Sequence, residues 1–432
     1  MSLPPFITQS VTPGRLPVEY QHVTGTRSYG IPSGRCRSSS SRGRIILTLI
    51  STTKRRGERR AVVSAVSVQQ GEEEQVQEEQ QEQQQEPFTK ERFEAFLLRM
   101  QESICTTAAE ADGSGKAFCE DRWQRSEDPS SGYGITRVLE GGNLLEKAAA
   151  NVSIVRGQLS EARAKAGVIN DSYLFALFCS TFSQSENVLG GVCTKQAMTG
   201  RGRAVESGTN YFAGALSLVF HTRHPFVPTF RSDIRYFEVE GGGGWFGGGA
   251  DLTPSYLFEE DAKFFHGYYK AVCDRYDPVL YEQSKAACDA YFYIPARREH
   301  RGIGGIFFDD LENFQQQEDS GLEACRSMVF SFVKDVAEGF MPSFLPIAER
   351  RRCMAYGERE REWQLLRRGR YLEFNLLYDR GVKFGLDGGR FESIMVSAPP
   401  LIAWRYNVVP ELNSLEAELL EVLKTPRHWT SY

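Results

Sequence analysis

Arginine, aspartate and glycine residues that could do chemistry are concentrated between residues 228 and 254, in the segment PTFRSDIRYFEVEGGGGWFGGGADLTP. A strand-like run that contains Arg231 and Arg235 leads into a glycine-rich turn, and Asp251 follows the turn. Glycine adopts positive φ and lets the backbone approach a ligand closely. A guanidinium and a carboxylate on either side of such a turn could bind an anion and transfer a proton. The same residues fit a structural hairpin with a flexible tip equally well.

Other arginines form two clusters and one isolated position. Arg390 follows Gly388 and Gly389, which would let the backbone approach a ligand closely, and it fits a ligand contact or a surface residue equally well. Because guanidinium groups pair bidentately with carboxylates or phosphates, converging arginines would suit a polyanionic ligand. For the two clusters we expect instead a solvated or salt-bridged surface. They are Arg297, Arg298 and Arg301, and Arg367, Arg368 and Arg370.

Two patterns are predicted to be structural. Asp309 and Asp310 close the apolar run GIGGIFFDD, where acids usually cap a strand or pair with a nearby arginine. The glycine string at residues 241–249 lacks both the GK[ST] ending of a phosphate-binding loop and the GxGxxG spacing of a dinucleotide site. We therefore expect neither a carboxylate dyad nor a bound nucleotide.

A metal site is only weakly indicated. His221, His224 and His266 would have to converge, and the six histidines show no HExxH-like spacing. The nine cysteines contain no CxxC pair, which argues against a zinc site, an iron–sulfur cluster and a disulfide scaffold. We predict no metal ion, with His221 and His266 as weak candidates, and a reducing compartment.

Composition limits the classes of partner and compartment. The 432 residues are 41% hydrophobic, enough to bury a core, and the net charge of −5 gives no reason to expect a nucleic acid partner. No apolar run approaches the roughly 18 residues that span a bilayer, so no transmembrane segment is expected. Up to residue 60 the chain is rich in arginine and serine and contains only two acids, Glu19 and Glu58. That composition is typical of an organelle transit peptide, and a basic tail that binds anionic surfaces is the alternative.

Three regions follow from these patterns. Residues 1–68 are predicted to be a transit-peptide-like, disordered tail, residues 69–86 a Gln/Glu-rich linker, and residues 87–432 a single domain with a probable insert at 167–208. Hydrophobic spacing predicts helices at residues 88–109, 259–276, 278–291, 318–339, 342–353 and 415–424. Strands are predicted at residues 135–139, 152–155, 217–221, 235–240, 371–378 and 394–397. The fold class is therefore α+β, with a large, mainly antiparallel sheet covered by helices.

Several long strings together resemble the oxygen-dependent coproporphyrinogen III oxidase family. They include EDRW at residues 120–123, NVSIVRG at 151–157, RYFEVE at 235–240, WFGGGADLTP at 245–254, RGIGGIFFDDL at 301–311 and RRGRYLEFNLLYDRG at 367–381. The resemblance covers roughly residues 88–429 apart from the insert. It implies a flat antiparallel sheet sandwiched between helices, a homodimer, and a cleft for coproporphyrinogen III. It also implies oxidative decarboxylation of two propionates to vinyls, with O₂ as co-substrate and no organic cofactor, to give protoporphyrinogen IX in porphyrin biosynthesis.

The resemblance also implies roles for individual residues. Asp251 and Arg235 match the pair proposed to hold the macrocycle and a propionate, with Asp251 accepting a proton from pyrrole N–H groups. The implied substrate-binding residues are Ser217, Arg231, Asp233 and Arg235, together with the turn of Gly388, Gly389 and Arg390. His221 and His266 match positions assigned to a metal.

Two positions depart from the family pattern PTxHxNxRYFE. Arg231 stands at the histidine assigned as proton donor, and Asp233 stands at the asparagine. A guanidinium does not release its proton at neutral pH. Three functions stay open for this reason: an active oxidase that works with Asp251 and Arg235, a tetrapyrrole-binding paralogue with weak or no oxidase activity, and, with least support, a distinct oxidase that acts on another porphyrinogen. The composition of the N-terminal tail predicts import into a plastid, with the mitochondrion as the alternative.

Overall fold

The structure is a computed structural model that describes residues 87–158, 208–241, 243–314, 321–379, 382, 386 and 390–430. The predicted tail and linker lie outside the described residues, and so does the predicted insert apart from Gly208. Gly388 and Gly389 also lie outside them. The described residues all belong to one structural unit, Gln69–Tyr432.

Seven strands form one antiparallel sheet in the order β1-β2-β3-β4-β5-β6-β9, and β7 pairs with β8 separately. The bounds are β1 Cys119–Gln124, β2 Gly132–Glu140, β3 Leu145–Gln158, β4 Asn210–Thr222, β5 Thr229–Val239, β6 Gly243–Thr253, β7 Tyr293–Ile294, β8 Glu299–His300 and β9 Gly304–Leu311. Neighbours in the sheet are neighbours in the chain from β1 to β6. The predicted α+β class with a large antiparallel sheet is confirmed.

Helices lie before, between and after the strands in the chain. Their bounds are α1 Lys90–Asp112, α2 Glu259–Cys273, α3 Leu280–Tyr291, α4 Leu322–Glu338, α5 Phe340–Arg351, α6 Glu358–Leu377, α7 Phe391–Met395 and α8 Leu415–Lys424. The predicted first helix begins where the Thr89 hydroxyl accepts a hydrogen bond from the Arg92 N–H and ends at Gly113, whose φ is 67°. Among the described residues, none of the helices combines the length and apolar character that crossing a bilayer requires.

Alternation along β5 separates the two faces of the sheet. Phe230 and Ile234 belong to the main hydrophobic core, together with side chains of α1, α2, α4 and α5. Arg231, Asp233 and Arg235, which alternate with these residues along β5, therefore point to the opposite face. That face is covered by α6, whose Tyr371 packs on Val219 of β4, and by α3, which packs along β9. Helices thus lie on both faces of the sheet.

The predicted strand at residues 371–378 is wrong, because these residues lie in and just after α6. Apolar and polar residues alternate locally there, but the buried residues of the whole helix recur at helical spacing, as at Gln364, Arg368, Tyr371 and Asn375. The helix also contains no valine, isoleucine or threonine, the β-branched residues that favour strands. The predicted strand at residues 394–397 is wrong as well, since this segment falls at the end of α7.

The glycine-rich run that was predicted to be a turn is mostly strand β6. The turn before it is short, and Gly241 there has a left-handed φ of 71°. Within β6, Gly247 lies directly opposite Arg235 of β5. A Cβ atom at position 247 would lie 2.5 Å from Nε of Arg235. The glycines of β6 therefore leave room for side chains of the neighbouring strand.

Candidate active site

A row of polar residues crosses the face of the sheet that α3 and α6 cover. Asp121, Thr136, Asn151, Ser217 and Asp233 come from β1 to β5 and are successive cross-strand neighbours. Directly opposite residues of antiparallel strands share a face. The Thr136 hydroxyl donates to Oδ1 of Asn151 at 2.7 Å. These five residues, called the polar row below, bring the predicted Ser217 and Asp233 together.

Arg235 is held by two carboxylates next to the polar row. Its guanidinium donates to Asp233 and, at 2.7 Å, to Oδ1 of Asp309 in β9. It also lies over the ring of Phe307, 5.5 Å from the ring centroid. Because Arg235 is buried and paired on two sides, the direction of its guanidinium is fixed. The prediction that Asp309 pairs with an arginine is confirmed.

Asp251 pairs with an arginine that was expected on the surface. Nη2 of Arg301 lies 2.6 Å from Oδ2 of Asp251, and Arg301 is 0% exposed. Its guanidinium carbon lies 3.9 to 5.1 Å from the ring centroids of Phe292, Tyr371 and Phe374. Three rings and a carboxylate replace the hydration that this cation loses on burial. The expectation of a surface position for Arg301 is wrong, and its local RRxxRG pattern carried no signal of burial.

Unused hydrogen-bonding capacity lies close to this pair. Among the described residues, Nε and Nη1 of Arg301 and the hydroxyl of Tyr371 have no hydrogen-bond partner, although all three atoms are buried. Buried polar atoms in native proteins are normally paired with protein groups or with ordered water. The surroundings of Asp251 can therefore accept further polar groups.

Arg231 lies opposite Asp251 in the β5–β6 pair and contacts the end of α6. Its Nη1 lies 3.4 Å from Oδ2 of Asp379, and Oδ1 of Asp379 accepts the backbone N–H of Val382 at 2.8 Å. Burial alone would lower the pKa of Arg231, but nearby carboxylates, first among them Asp379, outweigh burial and raise the pKa above its ordinary value. Arg231 is a permanent cation and cannot deliver a proton.

The ionisation of the Asp233 carboxylate is controlled by burial and by two neighbouring arginines. Burial raises the pKa of Asp233 above its ordinary value, and the charges of Arg235 and Arg231 oppose that rise. Its ionised form therefore depends on the two arginines of β5. Three arginines, at positions 231, 235 and 301, face four aspartates, at positions 233, 251, 309 and 379.

Arg390 lies at the far end of the polar row. Its Nη2 lies 2.5 Å from Oδ2 of Asp121, and its guanidinium carbon lies 5.5 Å from the ring centroid of Trp123. Four strand spacings separate β1 from β5, which corresponds to about 19 Å. Arg390 and Arg235 therefore lie near opposite ends of one polar face.

Arg297, Arg367, Arg368 and Arg370 form ion pairs, as predicted, but Arg367 and Arg368 are buried, so the expectation of a surface position is wrong for these two. Arg297 and Arg370 bind Glu373, Arg367 binds Glu299, and Arg368 binds Glu146. The pairs of Arg297, Arg367 and Arg368 join α6 to neighbouring elements and so support the site, whereas the Arg370–Glu373 pair lies within α6.

Comparison with known proteins identifies the family. The family model described as Coproporphyrinogen III oxidase matches residues 92–429. The chain belongs to this family. It is 40% identical to the oxygen-dependent coproporphyrinogen-III oxidase of Drosophila melanogaster, over 79% of this chain and 78% of that protein. It is 40% identical to the chloroplastic oxygen-dependent coproporphyrinogen-III oxidase of Hordeum vulgare, over 79% and 80%, and 41% identical to the mitochondrial one of Mus musculus, over 79% and 69%.

His221 and His266, the two weak metal candidates, lie on different elements, β4 and α2. Nε2 of His221 donates to the Ser397 carbonyl at 2.9 Å, and His266 binds the Tyr281 hydroxyl and the Ile303 carbonyl. Burial lowers the pKa of each to about 3, so both rings are neutral at pH 7. In the part of the chain that the structure describes, no group of three or more His, Cys, Asp or Glu side chains is placed to hold a metal ion.

Proposed function

We propose that this member of the coproporphyrinogen III oxidase family oxidatively decarboxylates two propionates of coproporphyrinogen III to vinyls and so forms protoporphyrinogen IX. The observation that carries the proposal is one buried polar face on which the Asp251–Arg301 pair lies next to Arg231 and Arg235. It joins a proton-accepting carboxylate to anion-binding guanidinium groups. A porphyrinogen with four propionates and four pyrrole N–H groups requires both.

Each round of the reaction is a two-electron oxidation. The bond between the terminal CH₂ and the carboxylate breaks and releases CO₂, while the CH₂ next to the pyrrole loses a hydrogen with its bonding electrons. A vinyl double bond forms between the two carbons. The lost hydrogen, a proton from solvent and O₂ give H₂O₂, so two rounds consume two O₂ and yield two vinyl groups.

We assign roles along the polar face. Asp251, whose orientation is fixed by Arg301, accepts a proton from a pyrrole N–H and leaves an electron-rich ring for O₂ to oxidise. Arg235, on the same face of the sheet, holds the macrocycle and one of its propionates. The substrate-binding residues that we propose are Ser217, Arg231, Asp233 and Arg235, and also Gly388, Gly389 and Arg390, of which Arg390 lies at the far end of the polar row.

Replacing Asp251 tests the assignment. In an aerobic assay of the full chain with coproporphyrinogen III, protoporphyrin fluorescence after oxidation reports product. We expect Asp251→Asn to lower kcat by about 10²- to 10⁴-fold, because the amide keeps the shape but cannot accept the proton. Asp310→Asn is the matched control, since Asp310 is an exposed neighbour of the site with a φ of 54° that asparagine tolerates. Wild-type turnover in Asp251→Asn would contradict the role of Asp251.

A tetrapyrrole-binding paralogue with weak or no oxidase activity is the second candidate. The observation that favours it is Arg231, a permanent cation at the position where the family resemblance implies a proton donor. The same assay separates the two functions. Tight binding of coproporphyrinogen III with no product above the level of Asp251→Asn would identify the paralogue.

The proposal includes O₂ as co-substrate, no organic cofactor and no metal ion. Dialysis against a chelator should therefore leave turnover unchanged, and loss of turnover that a metal salt restores would contradict this part. We also propose a homodimer, which sedimentation equilibrium of the full chain would detect as twice the monomer mass.

Import into a plastid is proposed for the N-terminal tail, with the mitochondrion as the alternative. The relatives from Hordeum vulgare and Mus musculus carry the words chloroplastic and mitochondrial in their names. Residues 1–68 have the composition of a transit peptide. A fluorescent protein fused to residues 1–70 should enter the organelle, and a fusion that stays in the cytosol would contradict the proposal.

A further inference from the structure

We infer that Arg231 is a positioning residue for Asp251 and that it acts through the end of α6. The inference deepens the proposed function, because it specifies what one residue of the same site does. It makes Arg231 a contributor to the rate of the chemical step, whereas a propionate ligand would contribute mainly to substrate affinity.

The first link joins Arg231 to the end of α6. Asp379 is 0% exposed and lies just after the last residue of the helix. One oxygen of its carboxylate accepts a hydrogen bond from the Arg231 guanidinium, and the other accepts one from the Val382 N–H. The backbone N–H of Asp379 donates to the Phe374 carbonyl at 2.8 Å. Removing one partner of a buried ion pair is strongly destabilising, because the other charge stays buried. Arg231 therefore holds the end of α6 against β5.

The second link joins α6 to Asp251. Tyr371 and Phe374 are fully buried residues of α6, and their rings lie against the Arg301 guanidinium. Arg301 in turn donates to Asp251. Packed interiors transmit small displacements, because they contain few voids that could absorb them. A shift of the end of α6 would therefore move the hydrogen-bond partner of Asp251.

The two roles of Arg231 differ in kinetics. A guanidinium that binds a propionate in the ground state and the transition state alike would raise KM when removed and leave kcat unchanged. A guanidinium that keeps Asp251 in place through α6 would lower kcat and leave KM nearly unchanged. Because Arg231 and Asp379 form one contact, removal of either residue should lower kcat by the same factor, and removal of both should lower it no further.

The test is a double-mutant cycle in the full chain with Arg231→Met and Asp379→Asn. We expect about a tenfold lower kcat and a KM within about twofold of wild type for each single variant, and no further loss in the double variant. Arg231→Lys, which keeps the charge, should recover part of kcat. A higher KM with unchanged kcat, or losses that multiply in the double variant, would overturn the inference. So would a lower free energy of unfolding without any change in kcat.

A matched control uses Arg350, which donates twice to Asp261 at 3.0 and 2.8 Å between α5 and α2 on the opposite side of the sheet. Because Arg350 does not contact Asp379, the factors by which Arg350→Met and Asp379→Asn change kcat should multiply in the double variant. If the wild-type chain forms no product, the proposed function fails, and the link is measured instead in the free energy of unfolding. Losses for Asp379→Asn and Asp251→Asn that are less than additive in the double variant would still support positioning of Asp251 through α6, and additive losses would overturn it.

Discussion

Gly247 determines where the Arg235 guanidinium lies. A Cβ atom at position 247 would come within 2.5 Å of Nε and 2.7 Å of Cζ of Arg235. The sequence suggested that glycines here leave room for a ligand, but at this position the room is filled by a side chain of the adjacent strand. The two carboxylates that bind Arg235, Asp233 and Asp309, can pair with it only in that orientation.

We expect Gly247→Ala to lower kcat/KM by about ten- to a hundredfold, because the added methyl group displaces the guanidinium from both carboxylates. The assay is the aerobic conversion of coproporphyrinogen III. Gly267→Ala is the control: nothing lies within 4 Å of a Cβ atom there, and alanine should stabilise α2 by about 0.5–1 kcal/mol. Wild-type kcat/KM in Gly247→Ala would mean that the Arg235 contacts do not limit turnover.

At the scale of elements, α3, α6 and β9 together enclose the partner of Asp251. Phe292 follows α3, and Tyr371 and Phe374 belong to α6. Their rings surround Arg301, which precedes β9. No single element would bury this guanidinium, so the Asp251–Arg301 pair exists only when the three elements are packed. Activity and packing of this region should therefore be lost together.

Arg301→Met should lower the free energy of unfolding by about 3–5 kcal/mol, since it leaves the buried Asp251 carboxylate without its cation. Denaturant-induced unfolding measures the change. Arg297→Met is the matched control, because the Arg297–Glu373 pair is 42% exposed on the arginine side, and we expect a loss below about 1 kcal/mol. Equal losses in the two variants would show that burial of Arg301 contributes nothing.

At the scale of the whole molecule, the sequence predicts contiguous features well and long-range pairs poorly. The strings around Arg235 and Asp251 indicate the family because each is continuous in the chain. The partner of Asp251 is 50 residues away and that of Arg231 is 148 residues away, and no local pattern encodes such distances. Residues 371–378 were mistaken for a strand because their apolar–polar alternation fits a strand, and only the longer window shows helical spacing.

The buried neutral histidines predict how stability depends on pH. His266 has a pKa of about 3 when folded and an ordinary value of 6.5, so the unfolded chain binds more protons between these values. The neutral His266 therefore contributes to the free energy of unfolding in full above pH 6.5, and this contribution is lost as the pH falls toward 3.

His266→Gln removes the titrating ring but can still bind the Tyr281 hydroxyl and the Ile303 carbonyl. From pH 6 to pH 4 we expect the free energy of unfolding of the wild type to fall by about 1.4 kcal/mol per pH unit more than that of the variant. Urea unfolding at several pH values measures this difference. Gly267→Ala should shift the stability without changing the slope, and parallel curves for wild type and His266→Gln would refute the prediction.

The polar row constrains how the length of this chain can change. A one-residue insertion or deletion within β5 would exchange the two faces of the following residues, so that Arg235 would enter the core and Ile234 would join the polar face. Length changes preserve this register when they fall between strands, as between β3 and β4, where the sequence predicts an insert at residues 167–208. Within the sheet, new chemistry can arise only by substitution at fixed register, as the predicted departures of Arg231 and Asp233 from the pattern PTxHxNxRYFE would require.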